Sequence, residues 1–143
     1  MRYSFTATRS LSSAGKEIIL ERLCQLEDVE SWATGGAVGG DSFIHRTMRE
    51  LFPDAHFSMI LPKKPGDMAL VEEAEQDIAR GARGAIVWTG LEPLKRNHII
   101  LYRGKCLEAF PSDAHERMRG SGTWATIRYA RAMDMPTTIT PLS

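Results

Sequence analysis

Strand-like and helix-like segments alternate along this chain from end to end, and few folds accept that order. Tyr3, Phe5 and Ala7 alternate with Ser4, Thr6 and Thr8, the period-2 pattern of a strand. Ser12-Ser13 offers a helix cap, with Glu17 in the first turn and Ile19, Leu20, Leu23, Cys24 and Leu26 as the apolar face. A short strand ends at Thr34. Asp41 then reads as an N-cap, ahead of a stripe of Ile44, Thr47, Met48 and Leu51 that Pro53 stops. A third strand spans 55–61. Asp67 caps a helix with Leu70, Val71, Ala74 and Ile78 inside. A fourth strand, 85–89, reads as buried, Trp88 included. Pro93 opens a helix that Gly104 closes. The fifth strand is 106–110. A last helix places Thr123, Thr126, Ile127, Ala130 and Met133 on one side, and a final strand covers 137–140.

Strict β/α alternation implies an α/β fold: a mostly parallel sheet of about six strands with helices on both faces, a three-layer αβα sandwich. At ~150 residues per domain, 143 residues make one domain spanning 1–143. Right-handed crossovers put every strand's C-terminal end along one edge, where open sheets of this kind bind ligands.

That edge is chemically distinct. Thr8-Arg9-Ser10 follows the first strand and Gly35-Gly36-Ala37-Val38-Gly39-Gly40 the second. Lys63-Lys64 follows the third, Thr89-Gly90 and then Arg96-Asn97 the fourth, and Gly120-Ser121-Gly122-Thr123 the fifth. Glycine admits φ > 0 and close approach, so successive amides can form a concave nest for anionic oxygens. A helix starting just beyond adds its positive dipole end. Two strand–glycine-loop–helix units of this kind point to a phosphate-bearing ligand. Arg9, Arg96, Lys63 and Lys64 are the candidate countercharges, and Arg96 is poorly placed for its own helix dipole. Neither loop is GxGxxG or a Walker phosphate loop.

Lys and Arg number 18 and Asp and Glu 18, so net charge gives no grip on nucleic acid. Cys24 and Cys106 stand apart, as a reduced, cytoplasmic pair does. The N-terminal run MRYSFTATRS lacks a signal-peptide h-region, and no apolar run approaches the ~18 residues of a membrane span. No metal site is expected from His45, His56, His98 and His115, no cofactor is implied, and Gly-x-Ser-x-Gly is absent.

Thr34-Gly35-Gly36-Ala37-Val38-Gly39-Gly40-Asp41, with His45 four residues on, resembles the SGGAxGID…AH signature of DprA-like proteins. Arg96-Asn97 resembles their RN motif. Ala109-Phe110-Pro111, then Arg119-Gly120-Ser121-Gly122-Thr123 and Ala130-Arg131, resembles a third motif shared in form with LOG hydrolases and SLOG ligand-binding domains. The resemblance runs from Thr8 to Pro136 and implies a Rossmann-like, homodimeric domain that binds or senses a nucleotide-derived ligand. The implied contacts are Thr8, Arg9, Gly35, Gly36, Ala37, Gly39, Asp41, His45, Arg96, Asn97, Gly120, Ser121, Gly122 and Thr123. Asp41 would hold a ribose hydroxyl.

Two branches of the resemblance fit less well. LOG-like enzymes cleave the N-glycosidic bond of nucleoside monophosphates with a glutamate where this chain has Thr126, which cannot carry the charge that stabilises an oxocarbenium-like centre. Asp41, Asp113 and Glu116 are the alternative carboxylates. DprA-like single-stranded DNA binding needs a basic groove with exposed aromatics. Arg103, Lys105, Arg117, Arg119, Arg128 and Arg131, with Trp124 and Tyr129, are its only basis.

Overall fold

The alternation builds a six-stranded sheet in which every pairing is parallel. The computed structural model describes all residues, Met1–Ser143. In chain order the elements are β1 (Arg2–Ala7), α1 (Ser13–Cys24), β2 (Ser31–Thr34), α2 (Gly40–Leu51), β3 (His56–Leu61) and α3 (Met68–Ala79). There follow β4 (Gly84–Trp88), α4 (Pro93–Arg103), β5 (Cys106–Phe110), α5 (Gly122–Ala132) and β6 (Thr137–Ile139).

The strand order is β4-β3-β2-β1-β5-β6. The chain steps outward from β1 to β4, then α4 carries it back so that β5 lands on the other side of β1. The direction of winding therefore reverses between β1 and β5, and there the C-terminal strand ends open a crevice. The register joins Ala7 to Phe110, and the Thr8 amide extends the ladder to the Phe110 carbonyl at 3.0 Å.

Alternation along each strand divides the core. Tyr3, Phe5, Trp32, Phe57, Met59 and Leu61 point to one face and meet Ile19 and Leu23 of α1, Ile44 and Met48 of α2, and Leu70, Val71 and Ala74 of α3. On the opposite face Leu107 and Ala109 meet Leu101 of α4 and Trp124, Ile127 and Ala130 of α5. Ser12 and Asp67 cap α1 and α3 as their positions predict, accepting from the amides of Gly15 and Leu70.

Several local expectations are corrected. Asp41 is not the cap of α2; Gly39 is, at φ 80°, and Asp41 lies inside the first turn. The strand carrying Trp88 is an edge strand, and Trp88 is 55% exposed, because periodicity does not reveal strand order. Leu20, Cys24 and Met133, counted on inner helix faces, are exposed. One partly buried charge pair lies outside the predicted pattern. Glu108, in mid-β5, accepts from Arg22 Nε at 2.8 Å and Nη2 at 2.9 Å, which ties α1 to the sheet.

Candidate functional site

The crevice beyond β1 and β5 is a cleft of ≈ 430 Å³, within the ~300–1,000 Å³ typical of small-molecule sites. One wall is the turn after β1, Thr8-Arg9-Ser10. Another is the turn before α5, Gly120-Ser121-Gly122-Thr123. Ala37 and Asp41 enter from the turn after β2, and Arg96, Asn97 and Leu94 from α4. Both glycine turns thus border one cavity.

They border it in different ways. The first turn's glycines face protein. A Cβ on Gly39 would sit 2.1 Å from the Arg9 carbonyl oxygen, and one on Gly40 would sit 2.3 Å from Ala7 Cβ. These bare positions let α2 abut the β1 turn, and the Gly40 amide donates to the Thr8 carbonyl at 2.9 Å. Gly35 leaves room for Arg96 and Asp41, and Gly36 (φ 66°) packs on Leu61 and Met59. Gly35, Gly36 and Gly39 accordingly do not line the cleft. The second turn is open: a Cβ on Gly120 or Gly122 would meet nothing within 4 Å.

The anion already held by the first turn is the chain's own. The Asp41 carboxylate accepts from the Ala37 amide at 3.3 Å. Burial pushes its pKa up, against the pull of Arg96 and of the Ala37 and Gly35 amides. Arg96 is itself only 4% exposed. Burial lowers its pKa while Asp41 raises it. Its Nη1 donates to the Gly35 and Ile60 carbonyls, the latter at 2.9 Å. Those carbonyls lie at the ends of β2 and β3, which explains an arginine in a helix's first turn: it satisfies strand ends instead of opposing its own dipole.

From Arg96, on the cleft wall, a polar chain runs to α5. Arg96 Nε donates to Asn97 Oδ1 at 3.0 Å, Asn97 Nδ2 to Thr126 Oγ1 at 2.9 Å, and Thr126 Oγ1 to the Gly122 carbonyl at 2.8 Å. Gly35 and Gly122, one in each glycine turn, are joined by hydrogen bonds throughout. Thr126, where LOG-like enzymes carry glutamate, is a link in this chain.

The anion-binding capacity lies on the α5 side. Ser121 caps α5 by accepting the Trp124 amide at 3.2 Å and keeps its own O–H to donate. The Gly122 and Thr123 amides belong to the first turn, where no intrahelical acceptor exists. Arg9 and Arg117 supply cations at the rim. Arg117 donates to Asp113 at 3.0 Å, which holds the Asp113 carboxyl below its usual range.

Other expected contributors lie elsewhere. His45 is 2% exposed, edge-on to Trp32 and Phe57 with both centroids 5.0 Å away, and neither ring nitrogen has a partner. It follows Asp41 by one ~5.4 Å helical turn, which carries it from the cleft into the core. Lys63 and Lys64 are exposed beyond β3, two strands from β1, and do not reach the cleft. Glu116 meets Arg128 and Arg131 at 3.6 and 3.4 Å. Trp124 is buried and Tyr129 stacks on His98 at 3.7 Å. His and acidic side chains form no metal-sized cluster, and no helix is long and apolar enough to cross a membrane.

No protein-family model matches this chain, and no curated protein does. Among solved structures, the crystal structure of TM1055, a Northeast Structural Genomics Consortium target, is similar over 95% of this chain and 71% of its own, with a TM-score of 0.62 and 18% identity. That likeness shows a Rossmann-like fold.

Proposed function

We propose that this protein binds a small, phosphate-bearing, nucleotide-derived ligand in the cleft between the β1 and α5 turns, and holds it without cleaving it. The observation that carries the reading is the open turn at Gly120–Thr123. Unpaired first-turn amides, the free Ser121 hydroxyl and the side-chain-free Gly122 face a cavity rimmed by Arg9 and Arg117. The phosphate seats on α5's positive end. The remainder of the ligand lies toward Asp41, the only carboxylate on the cleft wall, which accepts hydroxyl or amino protons. The resemblance to SLOG-type domains agrees with this chemistry.

Hydrolysis is less well supported. Thr126 is committed to Asn97 and Gly122, and Asp113 and Glu116 are paired with arginines. The DNA reading loses the exposed Trp124 it relied on. Calorimetric titration with nucleoside mono- and diphosphates tests the proposal, with inorganic phosphate as the minimal probe. Saturable binding that Gly122→Val abolishes, with an unchanged melting temperature, supports it. Binding that Gly122→Val leaves intact removes the α5 turn from the site. Release of free base that stops in Asp41→Asn replaces binding with hydrolysis.

A further inference from the structure

We infer that Asp113 is an internal competitor for the ligand's phosphate: both bind the Arg117 guanidinium, and Asp113 thereby sets how tightly the cleft holds its guest. The inference rests on the proposed phosphate seat at the α5 turn and adds the group that regulates it. Arg117 borders the cleft and Asp113 does not. Arg117 Nη2 donates to Asp113 Oδ2 at 3.0 Å, so the carboxylate draws one rim cation to itself. Arg9, the other rim cation, makes no ion pair.

The segment around the pair confines movement to one side chain. No residue from Ser112 to Gly120 is buried, so packing does not lock the Arg117 side chain. The main chain beneath it is held. Arg128 of α5 donates to the Arg117 carbonyl at 2.7 Å, and Glu116 is gripped by Arg128 and Arg131. Asp113 is held as well, because its Oδ1 accepts from the His115 amide at 3.0 Å, the local turn that aspartate favours. The Arg117 guanidinium is therefore the part that moves, turning about its own side-chain bonds.

The competition is uneven. The Arg117 and Asp113 side chains are 58% and 27% exposed, and an ion pair so exposed is weak. A phosphate seated on the first-turn amides of α5 offers the guanidinium two oxygens and charge-assisted bonds, and takes it over. The cost of releasing Asp113 is subtracted from the affinity, as at any site whose binding-competent form is only part of the population. On the scale of an exposed ion pair, that subtraction is about two- to fivefold in Kd.

Calorimetric titration of the full chain with inorganic phosphate tests this, wild type against Asp113→Asn. Asparagine keeps an oxygen to accept from His115 and gives up the charge that holds Arg117. Asp113→Asn is expected to bind phosphate about two- to fivefold more tightly, and to show no gain in an Arg117→Ala background. Glu116→Gln makes the same charge change in the same segment, against Arg128 and Arg131 instead, and is expected to leave Kd unchanged. No gain in Asp113→Asn, a gain that persists without Arg117, or an equal gain in Glu116→Gln overturns the inference and leaves the phosphate seat standing. A wild type that binds no phosphate overturns the proposed seat, and this inference with it.

Discussion

Arg96 and Gly35 are bound side chain to main chain: the guanidinium Nη1 donates to the Gly35 carbonyl inside the fold, beside the buried Asp41 carboxylate. Arg96→Ala leaves that carboxylate without its main countercharge and the Gly35 and Ile60 carbonyls without their donor. The expected cost is roughly 3 kcal/mol in urea unfolding, the scale for breaking a buried charge pair. Asp41→Asn in the same chain is expected to recover part of it, since the orphaned charge is gone. Additive effects in the double-mutant cycle would show that Asp41 and Arg96 do not act as a pair.

Acid sensitivity follows from His45. Burial, with Arg49 and Arg46 adding like charge, pushes its pKa from 6.5 to about 4. The folded state holds the neutral ring, so the unfolded chain binds the extra proton first. The stabilisation from this group is complete above pH 6.5 and falls away as the pH drops toward 4. At ~1.4 kcal/mol per pKa unit the loss is of order 3 kcal/mol. His45→Leu removes two unpartnered ring nitrogens and is expected to flatten the profile over that window, read by unfolding at several pH values.

The two glycine turns differ in what they tolerate. Gly39→Ala forces a Cβ against the Arg9 carbonyl at a φ of 80°. A loss of at least ~2 kcal/mol is expected, since both strain and backbone displacement oppose it. Gly122→Ala meets no neighbour and gains helix propensity, so stability is expected to hold or rise by about 0.5 kcal/mol. Thermal melts of the two variants make the comparison direct.

Arg9 and Arg117 are the rim cations of the cleft. Replacing either with alanine is expected to weaken nucleotide binding about tenfold, the scale of one charge-assisted hydrogen bond. Stability is expected to stay within ~0.5 kcal/mol because both are surface side chains. Equal affinity in wild type and both variants, by calorimetry, would place the phosphate elsewhere.

Much of this architecture was legible in residue spacing. Polar and apolar residues alternate through Tyr3–Ala7, and Ile44, Thr47 and Met48 repeat on one helical stripe, so β and α segments fall within a residue or two of their observed bounds. Parallel pairing followed from the alternation. Strand order did not, because periodicity is blind to neighbours, and that blindness misjudged Trp88 and the reach of Lys63 and Lys64. The glycines of Gly35–Gly40 were expected to approach a ligand, and they approach the chain's own side chains and backbone, a choice that depends on what the fold brings opposite. Glu108 left a trace that the pattern reading did not use: a lone carboxylate inside the apolar strand Cys106–Phe110 needs a cationic partner, which is the half-buried Arg22.

The hydrogen-bonded chain from Gly35 through Arg96, Asn97 and Thr126 to Gly122 acts as a tie-rod beneath the cleft. Separating the β2 end from the start of α5 therefore costs hydrogen bonds made by Arg96 and Asn97, whichever of the two turns moves.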